Sequence, residues 1–111
     1  MTITLKQASE EFLSHLKAEG KAERSLYTYG KDLEQIRAFF GDEKILSKIL
    51  IPHVSGFLKS NELRMKAAKE GLIERAKPTI DKTIRIFRML MIWAKEKQYI
   101  QKLPFTKELE S

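Results

Sequence analysis

Between Pro78 and Lys97, apolar side chains recur at helical spacing over five turns with no glycine to interrupt them, and this stretch constrains the fold more than any other. On a wheel of about 100° per residue, Ile80, Ile84, Phe87, Met91 and Ala94 centre one stripe, and Ile86, Leu90 and Trp93 widen it along one side. Pro78 suits the first turn, where its missing N–H is not needed. Thr79 and Lys82 lie on the side that becomes apolar further along, and Arg85 and Arg88 lie opposite, on the solvated side. The pattern predicts a core helix whose first turn protrudes. Such a turn offers unpaired backbone N–H groups, the positive end of the helix dipole, a hydroxyl and an ammonium, a combination suited to phosphate. Lys77 and Arg85 can reach the same region. By the wheel alone, a solvated helix start without a ligand accounts for the pattern equally well.

The rest of the chain reads as helix too. Thr4 and Gln7 have capping-box spacing, and Leu5, Ala8, Phe12 and Leu16 share a face that Gly20 terminates. Leu26, Tyr29, Leu33, Ile36 and Phe40 give a second helix from about Arg24 to Phe40, closed by Gly41. In the connection 42–51, Leu46, Ile49 and Ile51 are expected to tuck under the domain. Pro52 opens a third helix with Val54, Phe57 and Leu58 on its apolar face. Residues 61–77 have high helix propensity and a weak stripe, which predicts a polar continuation of the third helix followed by a turn at Gly71. No sustained period-2 alternation and no Asn-Gly or Asp-Gly hairpin signal is present.

A chain of 111 residues fits one domain. Without cysteine it has no disulfide framework or thiol nucleophile, which suits the cytoplasm. Its longest apolar run, residues 89–94, is far too short to span a bilayer, and the N-terminus lacks the pattern of a secretory signal. The formal charge of +6 is regional. Residues 1–20 carry two lysines against three glutamates, whereas residues 59–88 carry nine basic residues against four acidic ones. A regional basic surface favours nucleic acid or an anionic membrane surface, and a solvated face kept basic for solubility is the plain alternative.

The run TIDKTIRIFRMLMIWA, residues 79–94, resembles the last core helix of the N-terminal DNA-binding domain of tyrosine recombinases of the phage-integrase type. Thr79, Ile80, Asp81, Lys82, Ile84, Phe87, Arg88 and Trp93 match that family's spacing. Ser25, Tyr29, Asp32, Leu33, Phe39 and Phe40 match its second helix, and Leu50–Ser60 resembles its short third helix. The family's Asn-Pro exit is Leu103-Pro104 here, and the segment 59–77 is longer than the usual connection. Each motif is degenerate; their order and spacing together cover nearly the whole chain.

The resemblance implies an all-α fold: a small orthogonal bundle of four to five helices, SAM-like, over residues 1–104. Residues 105–111 would be a tail or the start of a linker to a C-terminal catalytic domain. It implies double-stranded DNA as the partner, with that catalytic domain and further recombinase protomers beside it, and no cofactor. The family's catalytic arginines and His-x-x-Arg motif have no match, since His15 precedes Leu-Lys-Ala and His53 precedes Val-Ser-Gly. Tyr27, Tyr29 and Tyr99 stand in no catalytic context, so the chain is expected to bind DNA and not to cleave it.

The first expected DNA-contact cluster is Lys77, Thr79, Lys82 and Arg85. The second is Lys21, Arg24, Ser25, Thr28 and Lys31, at the start of the second helix, where Ser25 serves as a phosphate ligand or as a plain cap or first-turn residue. Lys59, Arg64, Lys66 and Lys69 are weaker candidates. Trp93, Phe87, Tyr29 and Phe40 could stack on bases, but their spacing favours core packing. His15 and His53 stand alone, which makes a metal site improbable. Two alternatives remain: a helical protein-interaction or regulatory domain that binds no DNA, and a helix-turn-helix repressor, disfavoured for want of a tight inter-helix turn.

Overall fold

The computed structural model of the chain describes residues 2–105. The first helix, α1 (Leu5–Ala18), starts at the expected capping box: the Gln7 amide donates to Thr4 Oγ1 at 3.1 Å and the Thr4 amide to Gln7 Oε1 at 3.0 Å. At its other end Gly20 takes φ +92°, a left-handed conformation that glycine adopts without a Cβ penalty. The amides of Gly20 and Lys21 then turn back to the carbonyls of Lys17 and Leu16, closing the helix in a Schellman turn.

Among the described residues four more helices follow: α2 (Glu23–Phe40), α3 (Ile51–Leu58), the single turn α4 (Asn61–Arg64) and α5 (Lys77–Glu96). The protein is thus mostly helical. Between α2 and α3 the chain pairs with residues preceding α1. Thr4 bridges Ile45, and the Leu46 amide donates to the Ile3 carbonyl at 2.9 Å. A 3₁₀ turn (Leu46–Lys48) then tucks Leu46 and Ile49 into the core. Ile51, expected with them, stays 50% exposed, because it stands in the first turn of α3 and that helix turns Val54 and Phe57 inward instead.

The largest correction concerns residues 61–77. They do not extend α3. After α4 the chain forms an antiparallel hairpin, β1 (Met65–Ala68) with β2 (Gly71–Glu74), around a Lys69-Glu70 tip. Helix propensity is a weak prior, and a tertiary contact overrides it. The Arg75 amide donates to the Arg64 carbonyl at 2.8 Å, and its guanidinium donates to the Leu63 carbonyl and, at 2.9 Å, to Thr83 Oγ1. The chain must return to its point of departure before α5 can begin, and a continued helix cannot do that. Gly71, at φ +108°, makes the reversal possible in place of the Asn-Gly signal.

The core is built around α5, whose Ile80, Ile86, Phe87, Leu90, Met91, Trp93 and Ala94 are all buried. Its C-terminal half packs Trp93 on Phe12 of α1, ring centroids 5.5 Å apart. Phe87 sits in an aromatic cluster with Phe40, Phe57 and Phe105 at 5.8, 5.5 and 6.3 Å. Aromatic pairs at such separations add roughly 0.5–1.5 kcal/mol each beyond their burial. Trp93 and Phe87 are therefore core residues, and Tyr29 and Phe40 are partly buried against that core, the packing their spacing favoured over base stacking. Phe105 is 7% exposed, so the domain includes a residue assigned from sequence to the tail; the remaining tail residues, 106–111, lie outside those described. Arg88, expected on the solvated side of α5, is half-buried.

The exit from α5 is tied back to α1 by Tyr99, whose hydroxyl donates to Glu11 Oε1 at 2.6 Å. That hydrogen bond, with the carboxylate's charge, raises the phenol pKa above its ordinary 10.0. The fold therefore favours the protonated phenol, and this contribution, present below the unfolded value, is lost as pH rises through the folded one. Phenolate absorbance, resolved against Tyr99→Phe, is expected to titrate above 10.0, and Glu11→Gln should lower the midpoint. Equal midpoints in the two proteins would mean the bond does not persist in solution.

Candidate nucleic-acid interface

Both α2 and α5 begin at an alanine, Ala22 and Ala76, with no side-chain cap. Their first amides are left without side-chain acceptors. The two helices pack against each other, and a cleft of about 380 Å³ lies between the first two turns of α2 and the middle of α5. Arg24, Ser25 and Thr28 line it from α2, and Lys82 and Arg85 from α5, with Tyr29, Ile86 and Met89 completing the wall. Among the described residues, three cations and no carboxylate line it.

The two clusters expected from sequence thus meet, but only in part. Arg24 and Arg85 are exposed and form no ion pair among the described residues. Ser25 is half-buried in the first turn of α2 and makes no hydrogen bond there. The Thr28 hydroxyl donates to the Arg24 carbonyl at 2.9 Å, so it must turn away from its own helix before it can donate to an anion.

Lys82 corrects the picture of a free ammonium on a protruding turn. It is half-buried, and its Nζ lies 3.5 Å from Oδ2 of Asp32. That separation is a charge contact rather than a short hydrogen bond, and the same oxygen makes no hydrogen bond. Asp32 is 5% exposed. Its Oδ1 accepts from Thr83 Oγ1 at 2.7 Å, and that hydroxyl in turn accepts from Arg75. The Arg75–Thr83–Asp32–Lys82 chain joins the base of the hairpin to α5 and α2 behind the cleft.

The other expected contacts stand apart from the cleft. Lys77 pairs with Asp81 at 2.8 Å on the exposed first turn of α5. Thr79 is exposed on that turn and does not line the cleft. Lys31 pairs with Glu34 at 3.6 Å and lies over the Tyr27 ring. Lys21 is exposed between α1 and α2. Arg64 donates through Nε to the Leu58 carbonyl. His53 Nδ1 accepts the Leu50 amide at 3.0 Å, and His15 lies 3.4 Å from Glu19. No group of three metal-ligating residues occurs among the described residues, and no helix there is long and apolar enough to cross a membrane.

Sequence reasoning passed over Asp32, Thr83 and Arg75 as site residues. Thr83 left a signal: it falls one turn after Ile80 and one before Phe87, a hydroxyl inside the apolar stripe, and a buried hydroxyl needs a partner. Nothing local marks Asp32 or Arg75, because their partners lie 51 and 8 residues away.

Compared with protein-family models, curated proteins and solved structures, the chain matches none.

Proposed function

We propose that this chain is a DNA-binding domain of a tyrosine recombinase, a SAM-like helical bundle that clasps duplex DNA while a separate domain of the parent enzyme cuts and rejoins the strand. One observation carries the reading: Arg24, Lys82 and Arg85, from two helices, converge on one cleft that no carboxylate of the described residues lines, beside hydroxyls of Ser25 and Thr28. The order and spacing of motifs along α2 and α5 support it independently of that cleft.

The chemistry is non-covalent. The two arginines can each offer a planar fork of N–H donors to phosphate oxygens. The ammonium of Lys82 adds a point charge, and the uncapped start of α2 adds backbone donors and the positive end of a dipole. Contacts of this kind fix position on the duplex, and their affinity comes largely from release of counterions. Lys77 and Thr79 extend the surface along the first turn of α5 once Lys77 exchanges Asp81 for a phosphate.

Duplex binding by the 111-residue chain, followed by fluorescence anisotropy across a salt series, tests this. Affinity should fall steeply with salt, and Lys82→Ala should lower the slope of log K against log salt by about one. An unchanged slope would remove Lys82 from the interface, and no salt-dependent duplex binding by the wild-type chain would overturn the reading.

A further inference from the structure

The hairpin has no evident role in its own chain. Every residue of β1 and β2 except Met65 is exposed, and among the described helices and strands its extensive contacts are between its own strands and with α4. A two-stranded hairpin is marginal in water without a further packing partner. This one also exposes large apolar groups, Leu72 at 56% and Ile73 at 48%, on a strand whose outer edge is unpaired. Electrostatics argue against a nucleic-acid arm, because Lys66 and Lys69 are cancelled by Glu70 and Glu74. The strand β2 is in fact an apolar pair flanked by two carboxylates.

Elsewhere the chain carries a complementary feature. A groove of about 440 Å³ runs between the 3₁₀ turn, the start of α3 and the exit segment 100–104. Its walls are Leu46, Ile49, Leu50, Ile51, Leu103 and Pro104, and among the described residues its one charged lining residue is Lys102. Leu50 and Ile51 are about half exposed, at 56% and 50%. Lys48, exposed on the 3₁₀ turn next to the groove-lining Ser47, adds a second cation at the rim.

We propose that the hairpin of one copy seats Leu72 in the Leu46–Pro104 groove of a second copy of this chain. Ala67 pairs with Leu72 and Met65 with Glu74 across the hairpin, so Leu72 and Glu74 share one face. With Leu72 in the groove, Glu74 comes to the basic rim at Lys102. The contact joins two different surfaces, so it gives a reciprocal pair or a ring of copies where the rotation closes and an open run of copies where it does not. It involves neither Arg24 nor Arg85 and holds whether or not the chain binds DNA.

Sedimentation equilibrium of the 111-residue chain without nucleic acid tests it, over low to high micromolar concentration, with Leu72→Glu and Leu50→Glu as variants. Both side chains are exposed, so both variants should fold, which circular dichroism melts verify. Wild type should self-associate with rising concentration, and each variant should do so at least about tenfold more weakly. An equimolar mixture should form one-to-one pairs, because the Leu72→Glu chain keeps an intact groove and the Leu50→Glu chain an intact hairpin. A wild type that stays monomeric throughout, a Leu72→Glu chain that associates normally, or a mixture that fails to pair would each overturn the proposal, the last in favour of hairpin-to-hairpin pairing.

Discussion

Arg24→Glu and Arg85→Glu together are expected to weaken duplex binding by roughly a hundredfold at moderate salt and to lower the salt slope by about two. These two arginines are the cations of the cleft that no carboxylate of the described chain already occupies, so their whole charge is available to phosphate. Each reversal removes a cation and also places an anion facing the polyanion. Both side chains are exposed, and changes at such positions usually alter stability within about 0.5 kcal/mol. The melting temperature should therefore hold while binding collapses. Wild-type affinity in the double variant would dismiss the cleft as the contact surface, and uniform loss across unrelated duplexes would mark the contacts as positioning rather than base-reading.

Asp32→Ala is expected to act in the opposite sense, costing about 2–3 kcal/mol of stability. The carboxylate is buried, accepts the Thr83 hydroxyl and lies beside the Lys82 ammonium. Its removal leaves the Thr83 hydroxyl, which still accepts from Arg75, with only the Thr79 carbonyl, at a long 3.3 Å, to receive its proton. Lys82 is 37% exposed and can return to water, which places the loss below that of a fully buried ion pair. For a domain of this size the loss corresponds to a fall in Tm of roughly 10–20 °C. Asp32→Asn separates the two roles, since it keeps an acceptor for Thr83 and removes the charge that holds Lys82. It should melt between wild type and Asp32→Ala, and it should bind duplex more tightly with an unchanged slope, because Lys82 makes one phosphate contact in either protein and only the cost of leaving Asp32 is removed. If Asp32→Ala melts with wild type, the buried chain of contacts does not hold the two helices together. If Asp32→Asn leaves binding unchanged, Lys82 is not restrained by its partner.

The two long helices that form the cleft were legible from pattern because their information is local. The stripe from Ile80 to Ala94 and that from Leu26 to Phe40 each repeat every three or four residues, and a turn of helix sets which side chains share a face. The capping box at Thr4 and the glycine stop at Gly20 are likewise contained in a few neighbouring residues. The segment Met65–Glu74 was not legible. Its residues favour helix, and the reason it folds back lies in Arg75 reaching Leu63 and Thr83. Ile51 was misjudged for a related reason: apolarity alone does not say which of several adjacent apolar side chains the core has room to enclose.

For the site, residue types and helix position together named Arg24, Ser25, Thr28, Lys82 and Arg85, and the packing of α2 on α5 brings these five to one cleft. Lys21, Lys31, Lys77 and Thr79 have the same chemistry and sit elsewhere. Periodicity orients a side chain about its own helix axis but carries no term for the neighbouring helix, so it cannot tell these two groups apart. Nor does it reveal that Lys82 already has a counter-charge, since Asp32 lies 50 residues earlier in the chain. Helix placement and burial faces follow from interactions within one turn. The hairpin, the cleft and the pairing of its charges exist only once distant segments pack, because the contacts that select them cost chain entropy that nothing local reports.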